Sequence, residues 1–383
     1  MIHKTLVEKY NWYKEWYENK RHHFYHWALF IGIALYTTNI LFVQIQGLEY
    51  AVSFPVAVSA ADDNLPNRLL HISDLIHAGT FTNPQGPDDF HSFAFGGKGL
   101  TYNSARNSLF QTGHVSGGLV GEISIPAFGK VATLLQLFGD PVDGKKGAIR
   151  LDGKQPNEIR VGGMLVYQNK LITTEYDFYD ADFMAKKSHF VSGLDLSITN
   201  DVQGPDTLTA PQAGFVAGYM ALVPQAWRTA VGAPAVTGQG GLSIISRTSH
   251  GPGLFGFDPA DLGVKDPVPT VPLLYYPESK CVGKDKAPCL GQFTKPDNSN
   301  AYFNLTSNIN GVVWPENSRT VFFFGRHGLG PFCYGPTTLD PALAGTPSKI
   351  PGYPLCYDPA PEASLDQLST HAPPMVNYVW LVD

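Results

Sequence analysis

Apolar residues fall along the chain in two unlike patterns. Near the N-terminus they form one unbroken run: Trp27 to Val43 reads WALFIGIALYTTNILFV, 17 residues without a charge. Gln44, Ile45 and Gln46 extend it to the ~20 residues a helix needs to span hydrocarbon. From residue 99 onward the runs are short, and polar residues alternate with them or break them. Gly99-Leu-Thr-Tyr-Asn is followed by NSLFQTGH (107–114) and GLVGEISIP (118–126). The same three-part phrase returns as Gly163-Met-Leu-Val-Tyr, KLITTEYDF (170–178) and HFVSGLDLS (189–197). It returns again as Gly218-Tyr-Met-Ala-Leu-Val-Pro, GGLSIISRT (240–248) and GPGLFGFDP (251–259), and as Gly311-Val-Val-Trp-Pro, RTVFFFGRH (319–327) and VNYVWLVD (376–383).

Each part of the phrase has a physical reading. The opening glycine marks a place where backbones crowd or bend. The second run is long and apolar enough to be buried. The third alternates, as in Glu122-Ile123-Ser124-Ile125, which is the period of a half-covered strand. VATLLQLF (131–138) and VPTVPLLYY (268–276) are candidate fourth strands after the first and third units. The long interval before the fourth unit reads as an inserted loop. Irregular repeats of three to four antiparallel strands predict an all-β chain, a β-propeller of at least four blades over residues 65–383. A two-sheet sandwich is the rival architecture. The fourth unit ends at Asp383 with its third strand. RLLHISDLIHAGTF (68–81) is the candidate to supply the missing one; otherwise the ring is incomplete at the C-terminus and the chain is a fragment of a larger propeller.

The phrase, together with GRHGLGPFCYG (325–335), resembles secreted propellers of the broad Kelch/YncE-like kind. That resemblance covers about residues 65–383 and implies architecture, not activity. There is no Kelch Gly-Gly pair in every unit, no WD dipeptide and no SxDxGxxW box. The last absence counts against glycan hydrolysis by the sialidase mechanism.

The flanks of the long apolar run are asymmetric. Lys4, Lys9, Lys14, Lys20 and Arg21 precede it, and no Lys or Arg follows until Arg68. The positive-inside rule then assigns residues 1–26 to the cytoplasm, 27–46 to a transmembrane anchor, 47–64 to a linker and the propeller to the extracytoplasmic side. Tyr10, Tyr13, Tyr17 and Phe24 lie near one helical face among lysines, which suits a segment lying in the headgroup region. Val58-Ser59-Ala60-Ala61 offers small residues for cleavage, but about 15 residues separate it from the run. An uncleaved signal-anchor is therefore expected.

Composition narrows the function classes. The charged fraction is 16% and the hydrophobic fraction 43%, so the chain is no disordered tail. Net charge is −6; the first 26 residues carry five basic and three acidic side chains, which leaves −8 on the rest. Such a surface excludes a nucleic-acid footprint. No P-loop, GxSxG, HExxH, CxxC or EF-hand pattern occurs, and no cofactor is implied. Four cysteines in an oxidising compartment read as disulfides. Cys281–Cys289 with Cys333–Cys356 is the simplest of three connectivities. Neither pair has zinc-site spacing.

Candidate chemistry gathers after the second runs, where His114, Glu175–Tyr176–Asp177 and Arg326–His327 stand. His114, Arg326 and His327 at matched repeat positions are expected near one mouth of the ring axis, as a polar ligand pocket or as imidazoles for a metal. The competing reading makes them braces between loops. Asp177, Asp180 and Asp182 form an acidic loop with oxygen ligands close enough for calcium, although solvated loop acids are commoner. The expected function is a membrane-tethered binding or scaffold module for a glycan, peptide or envelope protein. The alternative is a polysaccharide hydrolase or lyase at the channel mouth, which two carboxylates ~5–10 Å apart would mark. Whether the chain is an enzyme stays open at this point.

Overall fold

Each glycine-opened phrase becomes one antiparallel sheet, its strands laid side by side. The computed structural model describes residues 65–383 apart from 97, 157, 181, 241–247, 277–302, 304–306, 329–332, 359–366 and 372–374. The chain divides into two units, Met1–Ser59 and Ala60–Asp383. The first unit lies outside the described residues, and so do the expected cytoplasmic segment, the anchor at 27–46, the linker at 47–64, Cys281 and Cys289. Among the described residues no helix is long and apolar enough to cross a membrane.

Blade 1 is β1 (Leu100–Asn103), β2 (Ser108–Thr112), β3 (Val120–Ser124) and β4 (Leu134–Gly139), in that order. Blade 2 is β5 (Ile159–Tyr167), β6 (Lys170–Asp177), β7 (His189–Ser192) and β8 (Gln203–Asp206). Blade 3 is β9 (Tyr219–Leu222), β10 (Ala235–Gly238), β11 (Leu254–Phe257) and β12 (Thr270–Leu274). Blade 4 opens with β13 (Asn308–Val313) and β14 (Val321–Gly328). An excursion follows with β15 (Cys333–Gly335), β16 (Thr337–Thr338), β17 (Cys356–Tyr357) and β18 (Ser369–His371), and β19 (Met375–Val382) then returns to pair with β14. The architecture is a four-bladed β-propeller.

Local chemistry sets the strand registers. Gln168 and Asn169 sit at positive φ, 47° and 60°, and close the β5–β6 hairpin in two residues with Tyr167 opposite Lys170. That backbone matches the twist of the flanking strands. The first strands β1, β5, β9 and β13 stand innermost and touch in that sequence. Their backbones come so close that Gly162 has no room for a side chain: a Cβ there would lie 1.6 Å from the Ala217 carbonyl oxygen. Beside it, Gly163 N–H donates to that same carbonyl at 3.2 Å.

Buried apolar side chains fill the gaps between neighbouring blades. Phe110, Val120, Val161, Met164 and Leu171 join blades 1 and 2. Leu165, Ile172, Met220, Ala235, Phe255 and Phe257 join blades 2 and 3. Tyr219, Val236, Leu254, Ile309, Phe323 and Trp380 join blades 3 and 4. No comparable cluster among the described residues joins blade 4 to blade 1.

Two expectations are revised. The second strand of blade 3 is Ala235–Gly238, with Gly238 opposite Tyr219 on β9, and residues 241–247 of the expected run at 240–248 lie outside the described residues. Residues 68–81 add no strand to blade 4. They form a strap instead. At one end Arg319 N–H donates to the Arg68 carbonyl at 3.1 Å, and Leu70 N–H to Thr320 Oγ1 at 2.9 Å, both on blade 4. At the other end Thr82 pairs in parallel with Val131, just before β4 of blade 1.

Cys333 and Cys356 are bridged, with Cα atoms 5.7 Å apart and a separation of 23 positions in sequence. A loop of this size gains about 3 kcal/mol from closure. All four blades lie outside the bridged segment. Reduction should therefore release residues 333–357 to hydrogen exchange while the blade amides stay protected. Loss of protection throughout would show that the bridge holds the ring itself.

Candidate functional site

The first strands all begin at one end of the ring, and each second strand, being antiparallel, finishes there. Lys98 precedes β1, His114 follows β2, Arg160 stands at the start of β5, and Arg326 is near the end of β14. Lys98, His114 and Arg160 line one cleft with Phe95, Thr112 and Val161. It is a shallow cleft open to solvent, with enclosed room for little more than a water molecule or the end of a small polar group. No Asp or Glu is among its lining residues.

Arg160 is partly compensated. It pairs with Glu158, donates from Nη1 to the Val115 carbonyl at 3.1 Å, and lies 5.7 Å over the Phe178 ring. Burial lowers the pKa of its guanidinium. Lys98 and Arg326 have no carboxylate partner among the described residues. The Lys98 side chain reaches solvent but is crowded. That crowding, then the positive charges of Arg326 and Arg160, hold its ammonium below the ordinary lysine range. Two or three cations at one end of an otherwise negative chain invert the local field.

The structure separates the two residues of the Arg326–His327 pair. Side chains alternate along a strand, so these neighbours face opposite ways. His327 is 4% exposed, bonded to Ser307 Oγ through Nδ1 at 2.6 Å and packed against Tyr378 and Trp380 at 5.3 and 6.3 Å. It lies on the face of β14 that carries Phe323 toward blade 3. Arg326 lies on the other face, and its electrostatic neighbour is Lys98. His114 is half-buried between Phe90 and Phe95, with ring centroids 5.9 and 5.7 Å away. Its Nδ1 accepts the Ser116 N–H at 3.1 Å, which leaves Nε2 as the nitrogen available to a ligand.

The acidic loop surrounds a cation of the chain's own. Arg150 Nη1 donates to Asp177 at 3.1 Å and to Asp180 at 3.0 Å. Its Nη2 reaches Asp182 at 2.6 Å and Asp152 at 3.0 Å. Hydrogen bonds from Arg150 hold Asp152 down to about 2 and lower Asp182, whereas burial pushes Asp180 up. The guanidinium stands where a bound cation would otherwise stand.

Sequence reasoning passed over Lys98 and Arg160. A signal existed: each is a cation just ahead of the glycine that opens its unit, in Lys98-Gly99 and in Arg160-Val161-Gly162-Gly163. It also passed over Asn308, which is directly opposite Arg326 on β13 and so shares its face. Asn308 is 2% exposed, and neither atom of its amide has a hydrogen-bond partner. No family model matches the chain, and no curated protein is similar to it in sequence. The β-propeller architecture and the geometry of this end of the ring are therefore what a functional reading rests on.

Proposed function

We propose that this chain is a binding or scaffold module. Its propeller, of the Kelch/YncE-like kind, is tethered outside the membrane by residues 27–46 and engages a carboxylate-bearing group on a glycan, peptide or envelope protein. The observation that carries the reading is the pair Lys98 and Arg326, two neighbouring cations at one end of the ring with no carboxylate partner among the described residues. Arg160 and His114 extend the same cleft. An arginine fork matches a carboxylate, and a lysine adds a mobile point charge. A hydrolase acting on glycosidic bonds would need two carboxylates at the mouth, and the lining of the cleft supplies none.

Glucuronate is a suitable probe, titrated into the full chain in neutral-lipid nanodiscs and followed by calorimetry. Lys98→Ala and Arg326→Ala should each weaken binding about tenfold, and added salt should weaken it further. The melting temperature should hold in both variants, since neither side chain has a carboxylate partner to lose among the described residues. Affinity that ignores both substitutions would reject the reading.

A further inference from the structure

The interface between blades 4 and 1 is the one without a buried apolar cluster among the described residues, and its walls carry a pattern. Thr101 Oγ1 accepts the Val166 N–H at 3.1 Å. This bond turns Thr101 toward blade 2 and its neighbours Leu100 and Tyr102 to the opposite face of β1. Phe323 packs on Tyr219 of blade 3 at 6.0 Å. That contact turns Phe324 the other way, to the face it shares with Arg326 and with the fully buried Phe322, on which it stacks at 6.2 Å. Leu100 is 53% exposed, Tyr102 51% and Phe324 36%. Starting from the cationic end, one wall presents Lys98, Leu100 and Tyr102, and the other presents Arg326 and then Phe324. Both rows run from a cation to apolar side chains in steps of two residues, about 6.6 Å per step along a strand. Alternate side chains of an extended chain have that same spacing.

Asn308 adds a second, independent sign. It lies beside Arg326 on the same face, nearly fully buried, with its donor and acceptor both unused. Nε of Arg326 is also without a partner. A carboxamide complements a peptide group, which offers one N–H and one C=O. A sugar acid would satisfy the cations but would leave the leucine and its neighbours without aliphatic partners.

We propose that the seam between blades 4 and 1 binds an extended peptide with a free C-terminal carboxylate. The carboxylate meets Lys98 and Arg326, a peptide group meets Asn308, and alternate apolar side chains lie against Leu100, Tyr102 and Phe324. This rests on the reading of the cationic end as an anion site.

The test uses the full chain in neutral-lipid nanodiscs and a fluorescent hexapeptide alternating leucine with threonine, as the free acid and as the C-terminal amide. Fluorescence anisotropy should show the acid binding and the amide binding about tenfold more weakly. Leu100→Ser and Phe324→Ser should each weaken the acid about tenfold while leaving glucuronate affinity unchanged. Both positions are solvent-exposed, so the variants should fold as the parent does, and the acid–amide comparison needs no variant at all. Suppose the peptide binds no more tightly than glucuronate, or ignores both seam substitutions, while glucuronate still depends on Lys98. The seam proposal then falls and the anion site stands. A uronate oligosaccharide that outbinds the peptide and loses affinity in the seam variants would also overturn it, in favour of a glycan. If neither glucuronate nor the peptide binds, both readings fall.

Discussion

At about pH 8.5 the Glu175→Gln variant should melt several degrees above the parent, and near pH 4 the two should melt together. Glu175 is on β6, fully buried, and neither carboxyl oxygen has a hydrogen-bond partner. Burial pushes its carboxyl up to about 8; the charge of Lys146 opposes this and that of Asp140 reinforces it. The unfolded chain releases this proton near the ordinary glutamate value of 4.5. Between those two values the folded state binds more protons than the unfolded state, so stability falls as pH rises. Below 4.5 both states are protonated and the group contributes no difference. Above about 8 the full penalty applies, on the order of 5 kcal/mol. Glutamine keeps the shape and cannot ionise, so it removes the alkaline penalty alone. Parallel melting curves for parent and variant across this range would mean that Glu175 ionises freely, through water or a partner the fold supplies.

Arg150→Met should have a comparably large effect in the opposite direction, destabilising the fold by about 3–5 kcal/mol at neutral pH. The substitution leaves Asp152, Asp177, Asp180 and Asp182 facing one another around an apolar side chain. Asp177 and Asp180 have no exposed surface. A buried carboxylate that loses its cation has to ionise unpaired or take up a proton. The parent's Asp152 is held down to about 2 by Arg150. Its contribution is therefore present above the ordinary aspartate range and is lost as pH falls toward 2. The variant lacks that contribution, and its unpaired buried carboxylates are relieved as they take up protons, so lowering the pH from 7 to 3 should narrow the gap between the two proteins. Urea denaturation at both pH values measures this. A gap that stays constant would show that lost packing of the guanidinium stem, not charge on the carboxylates, sets the cost.

Strands such as β6 and β14 were legible because their apolar runs are long enough to be buried on both faces. β8 (QGPD) and β10 (AVTG) were not, because four residues containing glycine or proline carry almost no periodic signal; neighbouring strands recruit them. Ring closure makes the strap a candidate for the missing strand of blade 4, yet its Leu69, Ile72 and Ile76 remain exposed. Its backbone bonds join two blades rather than extending one.

At the site, Arg326 and His327 share a matched place after a second strand, yet strand period two sends adjacent residues to opposite faces. Asp177, Asp180 and Asp182 were seen as neighbours, but Arg150 lies 27 residues upstream of the nearest of them. No local spacing announces a counter-ion that a chain brings from so far away.

The strap has a consequence for the order in which the molecule assembles. Blades 1, 2 and 3 each consist of strands consecutive in the chain, so each can form as soon as it is synthesised. Blade 4 waits for β19, the last strand, and the bond between Leu70 and Thr320 spans 250 residues. Closing so long a loop carries an entropic cost that local pairing does not. The ring is expected to grow from blade 1 to blade 3 as a stable stack, with the seam between blades 4 and 1 as the final event of folding. A stalled nascent chain lacking β19 should already protect blades 1 to 3 from protease, and should leave the strap open to cleavage.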